Sequence, residues 1–337
     1  MASAGLAPPT PVARSAPDRS GAWPLADRIA YWACWATGIG LALLTLAIVV
    51  FMLIKGLAFL HPALLFESPS ADIKQSATGG FLDPILGTLL VTAIGIAIAA
   101  PLGVAIAVWL VEYGRPAGLA RAVESSVEIV GGAPSIVLAI FGLGIFAQGF
   151  LGFLSQTAAN GSVYGRSFFA AGIVMALLAL PLIVASTREA LQALSPRLRE
   201  GSFALGKTRA TTIRHVLLPS VRPGIATGAV LGMGRIIGDT AIIKILLGGL
   251  RIETVGGVPV LGLLRGTGST LTTYVYEFSP AGEGNSPQKA YFAAFVLLLM
   301  VLALNGIVTW ITLRRQPGGE LPRKRWMDLW RLPAWTR

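Results

Sequence analysis

The sequence predicts an all-α, polytopic membrane protein with about six membrane-spanning helices. Three observations carry that expectation. Hydrophobic residues make up 54% of the 337-residue chain and charged residues only 13%, where a soluble domain is roughly 25% charged. Mean hydropathy is +0.70. Several stretches also run roughly twenty residues without a charge, enough at about 1.5 Å per residue to cross a hydrocarbon core of about 30 Å. Lipid offers the backbone no water to bond with, so the spans are expected to be helices.

Taken in order, residues 1–29 are rich in Ala, Pro and Ser, lack apolar periodicity, and read as a disordered cytosolic tail with a short lead-in. The first apolar run starts too late and runs too long for a cleavable signal peptide. The first span is expected at 30–57, an extracytoplasmic loop at 58–84, and further spans near 85–111, 134–154, 167–185, 221–247 and 290–313. A polar stretch, 188–219, separates the fourth and fifth spans, and a basic cytosolic tail fills 315–337. The termini and the even-numbered loops carry nineteen Lys and Arg residues against six on the other side. By the positive-inside rule both termini are expected in the cytosol. The net charge of +11 is then mostly a topology signal with attraction to anionic lipid, and no nucleic-acid partner is expected.

Several chemistries are disfavoured. No phosphate-loop Gly-x-x-x-x-Gly-Lys-Ser/Thr occurs, so any ATP hydrolysis must come from another subunit. His61 and His215 fall on opposite sides of the expected topology, which disfavours a two-histidine metal site and leaves Ser135 without a base. Cys34, the single cysteine, has no disulfide partner and reads as a small buried apolar residue.

Within 188–219, Phe203, Leu205, Ile213, Val216 and Leu217 stand among charges, as in short amphipathic helices broken near Gly206 and ended by Pro219. Such helices lie on a surface or dock into a partner's groove. Glu200, Gly201, Ser202, Gly206, Val216, Leu218 and Pro219 match, in spacing, the Glu-Ala-Ala, three residues, Gly, nine residues, Ile-x-Leu-Pro pattern of the permeases of ATP-binding-cassette importers, which this sequence resembles. Gly201 and Ser202 replace two alanines, and Val216 replaces isoleucine. The resemblance implies a type I importer permease fold, a permease core at 85–314, and a coupling loop at 188–219 that docks on an ATPase subunit.

Two cations, Arg235 and Lys244, fall inside the fifth span. An intramembrane charge costs roughly 2.5–3.5 kcal/mol on insertion scales, so it is expected to face protein or water. On a continuous helix Arg235 and Asp239, four apart, would share a face with Thr240 beside them. They would form either an internal ion pair or a site where Arg235 meets a passing anion and Asp239 tethers it between turnovers. A permanently charged guanidinium offers forked donors to a tetrahedral oxyanion. Lys244 either snorkels outward or attracts the anion. Glycines at 224, 228 and 232, and again at 234 and 238, form ridges for close helix packing.

The segment from Gly234 to Ala241 resembles the Arg-x-x-Gly-Glu-Thr-Ala stretch of phosphate-specific permeases, with Asp239 where Glu is usual. Gly131 to Val137 resembles their Gly-x-Pro-Ser-Ile-Val stretch, in which Pro134 and Ser135 would break the helix and either kink it or turn backbone groups toward the path. Gly87-Thr88-Leu89, Pro101-Leu102-Gly103 and Glu112-Tyr113 match their second span, and the Gly79-Gly80 entry favours the A-type subunit over the C-type. The resemblance implies a permease for inorganic phosphate with a substrate path at Arg235, Asp239, Thr240, Pro134 and Ser135. The alternatives are another oxyanion such as sulfate or molybdate, or an ion-coupled carrier. Implied partners are a second permease subunit (a C-type homologue or a second copy), two ATP-binding subunits, an extracytoplasmic phosphate-binding protein and the bilayer of a bacterial or archaeal cell membrane. ATP and Mg are expected in the partner ATPase, with no cofactor or catalytic residue in this chain. Gly266-Thr267-Gly268-Ser269-Thr270 reads as a flexible loop or an anion contact.

Overall fold

The computed structural model describes residues 25–57, 62–69, 80–157, 163–249, 251–254, 259–280, 282 and 286–314. The terminal segments 1–24 and 315–337 lie outside the described residues. No strand forms among the described residues; two isolated bridges, Thr157 with Val163 and Glu253 with Thr267, pin loops.

Four helices are long and apolar enough to cross a membrane: Leu25–Gly56, Leu82–Tyr113, Phe168–Gln192 and Pro287–Thr312. Two bent pairs, Ala117–Gly132 with Ser135–Phe146 at 106° and Arg209–Ser220 with Arg222–Gly238 at 67°, bring the total to six if each pair makes one broken span. Contacts divide the chain into two units, 1–51 and 52–337. α1 (Leu25–Leu57), whose residues up to Phe51 belong to the first unit, begins five residues before the expected start at 30, and Trp32, Trp35 and Leu41 are exposed on it. Cys34 is exposed there, because a single helix offers nothing to bury it against.

In the second unit α2 (Leu82–Val108) continues through a π turn, Trp109–Tyr113, to α3 (Ala117–Gly132), α4 (Ser135–Phe146) and α5 (Phe168–Gln192). Short helices α6 (Pro196–Ala204), α7 (Arg209–Thr212) and α8 (Leu218–Ser220) follow, with a second π turn, Ile213–Leu217, before α8. After them come α9 (Arg222–Gly238), α10 (Ala241–Leu246), α11 (Pro259–Arg265), α12 (Leu271–Phe278) and α13 (Pro287–Arg314).

The third and fifth spans depart from single straight helices. Pro134 cannot continue α3 and forces the residue before it to extend, so Ala133 sits at ψ 136 and α4 starts afresh at Ser135. The residues expected to end span three, 149–154, form a 3-10 turn.

α5 is the centre of the unit. Its buried residues Met175, Ala179 and Ile183 meet Val91 and Ala99 of α2 and Ile236 of α9 in the middle cluster. Val184 and Leu191 meet Ile213, Leu217 and Val221 in a second cluster at the loop end. Glycine makes the contact close: a methyl at Gly224 would lie 2.3 Å from Ala190 Cβ, and one at Gly228 would lie 3.0 Å from Ile183 Cα. Ser186 Oγ donates to the Gly224 carbonyl at 2.7 Å across the seam. The ridge at 224, 228 and 232 therefore packs as expected. Gly234 and Gly238 have nothing within 4 Å of a side-chain position, so that pair packs against no described residue.

Gly228→Leu should drive α9 off α5 and lower stability by roughly 1–3 kcal/mol, the usual overpacking cost, whereas Gly234→Leu should leave the melting temperature of the purified protein unchanged. Thermal denaturation of the two variants in one detergent checks this.

Candidate functional site

The fifth span does not run straight through its charged residues. α9 ends at Gly238, Asp239 is extended at φ −82 and ψ 130, and α10 resumes at Ala241. Asp239 Oδ1 accepts the Ile242 N–H at 2.9 Å and so caps α10, while its own carbonyl accepts from Thr272 Oγ1 at 3.4 Å. A short carboxylate three residues ahead of a free helical N–H is a natural N-cap. Asp239 is 7% exposed and directed into backbone. Thr240 adjoins the break, and its carbonyl accepts the Lys244 N–H at 2.9 Å.

The expected Arg235–Asp239 pair is therefore not made. Arg235 is exposed and forms no ion pair or hydrogen bond with another described residue. Helix geometry explains its freedom. An i, i+4 ridge precesses by about 40° per step around a helix of 3.6 residues per turn. By Ile236 the contact has rotated from α5 toward α2, where a methyl at Gly95 would lie 2.8 Å from the Ile236 side chain. The flank bearing Leu231, Gly234, Arg235 and Gly238 is released, and all but the half-buried Gly234 are exposed.

The second halves of the two broken spans lie together: Ala139 and Phe146 of α4 share the middle cluster with Ile242 and Leu246 of α10. Pro134 is exposed and Ser135 half-buried at the start of α4. Beyond the break, Gly266–Thr270 is buried throughout, which corrects the flexible-loop reading. It is held because Leu271 N–H donates to Thr88 Oγ1 at 2.9 Å, and because Gly87 lets the Ser269 carbonyl approach to 2.0 Å of where a side chain would begin. Lys244 does not stand alone: its Nζ pairs with Glu277 Oε2 at 2.6 Å.

At the other end of α9, the 188–219 stretch folds as α6 to α8. Gly206 has φ +73. The Lys207 N–H reaches Ser202 O at 3.2 Å and the Gly206 N–H reaches Phe203 O at 2.9 Å, a glycine stop that closes α6. Glu200 and Gly201 are exposed, Ser202 is buried against Thr212 Oγ1 at 2.8 Å, and Val216, Leu218 and Pro219 are half-buried. The helical segment ends at Ser220, one residue past Pro219, before the 67° bend into α9.

Sequence reasoning missed the anchors of this loop. Arg199 donates through Nε to Glu112 Oε1 at 2.9 Å and through Nη2 to Leu191 O at 3.1 Å, tying α6 to the ends of α2 and α5. Arg209 lies over the Tyr113 ring at 5.3 Å, and Arg188 pairs with Glu124 of α3. Tyr113 and Glu112 close the second span in the sequence, but nothing local announces partners so far along the chain. Leu198, Phe203 and Leu205 stay exposed on the outer side of α6, with Leu205 at 80%.

A family model described as binding-protein-dependent transport system inner membrane component matches residues 99–316. The probable ABC transporter permease protein YqgH of Bacillus subtilis (strain 168) is 34% identical over 237 residues, 70% of this chain and 73% of that protein. The phosphate transport system permease proteins PstC of Haemophilus influenzae and PstA 1 of Mycobacterium tuberculosis are each 29% identical over 72% of this chain, covering 78% and 75% of their lengths. Among solved structures, a bacterial ABC transporter involved in the import of alginate superposes with TM-score 0.58 at 18% identity, over 86% of this chain and 98% of that one. An inward-facing structure of the MetNI methionine ABC transporter gives 0.51 at 21%, over 71% and 95%. At these identities the two structures speak for the fold alone.

Asp239→Ala should remove the α10 cap and cost about 0.5–2 kcal/mol, whereas Asp239→Asn, which caps as well, should cost only a few tenths. Thermal melts of both variants separate the cap from the charge.

Proposed function

Since the chain belongs to the family of binding-protein-dependent transport system inner membrane components, we propose that it forms the path by which an ATP-driven importer carries inorganic phosphate into the cell. As a member of that family it is a multi-pass permease subunit of an ABC importer and is not catalytic by itself.

One observation carries the substrate reading: an exposed Arg235 without a partner among the described residues, set between Gly234 and Gly238 on the uncovered flank of α9. It stands about 20 Å along the helix from Arg222. A cation at that depth costs roughly 2.5–3.5 kcal/mol in lipid, so this flank faces an aqueous seam or a second permease subunit. The reading of an internal ion pair loses its support, because Asp239 is occupied as a cap. Arg235 then lowers the barrier for a multiply charged oxyanion. Relatives named for phosphate transport support that anion, and both A-type and C-type relatives match at 29%.

In this reading a binding protein delivers phosphate from outside, and both termini face the cytosol. ATP and Mg act in two partner ATPases, which grip the exposed Glu200, Leu198, Phe203 and Leu205. Their closure moves α6, and Arg199 and Arg209 pass the displacement to the ends of α2 and α5.

Arg235→Ala should reduce phosphate uptake by reconstituted vesicles at least about tenfold, the effect of roughly 1.4 kcal/mol at the barrier, with assembly intact. Uptake at the native rate would refute the assignment. Competition by sulfate and molybdate at equal concentration tests the anion. Gly206→Val places a branched residue at φ +73 at a cost of about 1–2 kcal/mol. It should leave ATP hydrolysis running while uptake falls, which parallel assays of the two rates would show.

A further inference from the structure

A second polar feature lies past the break, at the end of α9 and α10 away from the coupling loop. A cavity of about 250 Å³, roughly eight water volumes at ~30 Å³ each, is lined by Lys244, Glu277, Gly248, Gly249, Gly268 and Ser269. Its walls are fixed by bonds already present. The Gly249 N–H donates to Gly268 O at 3.3 Å, joining the two glycine turns. Thr270 and Thr273 close a capping box on α12, which carries Glu277, and Tyr274 and Phe278 bury the other side of that helix. Gly248, at φ +65, turns the chain away from Lys244 and lies against Arg166, whose Nη1 sits 3.1 Å from where a side chain would begin. The charged groups lining the cavity are thus one cation, Lys244, and one carboxylate, Glu277, with Arg166 lying against Gly248 beside that lining.

We propose that this cavity binds a tetrahedral oxyanion, the solute before it reaches Arg235, with the anion taking the place of Glu277 on the Lys244 ammonium. The proposal rests on the oxyanion reading above and gives that path its outer station. The Lys244–Glu277 pair is suited to exchange. Its side chains are 46% and 21% exposed, so water screens the pair and opening it is cheap. Lys244 lies three residues beyond Ala241, where α10 begins. An anion leaving it passes the Asp239–Thr240 break to reach Arg235.

The test is site-resolved acylation of amines in the purified, complete importer in detergent, read by mass spectrometry, with Lys55 as the exposed reference. Inorganic phosphate at twice its dissociation constant should slow acylation of Lys244 about threefold, with chloride at matched ionic strength leaving it unchanged and Lys55 unaffected throughout. Sulfate protecting alike supports the site, since the class is the tetrahedral oxyanion. Glu277→Gln should bring protection at lower phosphate. Equal slowing by chloride, or no protection in either protein, overturns the proposal. Slowing on transfer to phospholipid nanodiscs without added phosphate assigns the cavity to a lipid headgroup and also overturns it. The labelling needs no transport, so absent protection with uptake still lost in Arg235→Ala sinks this site alone, whereas native uptake in that variant sinks the path.

Discussion

The close approach of α9 to α5 governs the rest of the second unit. Because Gly224, Gly228 and Gly232 carry no side chains, the two backbones meet along that ridge, and the ridge fixes how α9 is rotated. Rotation then decides which residues are covered. Ile236 and Ile237 turn inward, and Arg235 is left on the uncovered flank. In water such an arginine would be unremarkable. In a membrane its cost makes the open flank a statement about what lies beside it.

The helix breaks follow from the same need to satisfy backbone groups where water is scarce. At Pro134 the missing N–H and the ring end α3, so the third span turns through 106°. At Asp239 a carboxylate captures the Ile242 N–H and re-starts the helix, with Thr272 from a distant segment bonding the freed carbonyl. Two broken spans set α4 against α10 and allow the buried 266–270 turn to settle over the bundle. What reads as a long loop is therefore a packed layer, whose apolar side is the cluster of Phe81, Leu271, Tyr274 and Phe292.

The opposite end is organised by charge. Glu112, only 8% exposed at its side chain, holds Arg199, and Arg199 also donates to the Leu191 carbonyl near the end of α5, where a cation is favoured by the helix dipole. The coupling helix is thus bound to two spans while its apolar outer side remains uncovered. That combination, firm inward and open outward, suits an element that takes a push from a partner and delivers it to the bundle.

How much of this was legible in the sequence depends on distance along the chain. Span number, the stop at Gly206, the break at Pro134 and the 224–228–232 ridge are local matters of period, φ preference and missing side chains, and residues within a turn or two of each other determine them. The fate of Asp239 was not legible, because an acid four residues from an arginine can pair on a helix or cap the next one. Only the tertiary structure, which brings Thr272 to the break, decided between them. Lys244 with Glu277 and Glu112 with Arg199 are likewise choices made by packing between elements 33 and 87 residues apart. Sequence determined which residues could be charged, small or kinked; the fold determined which of the charges found partners, and it left Arg235 without one among the described residues.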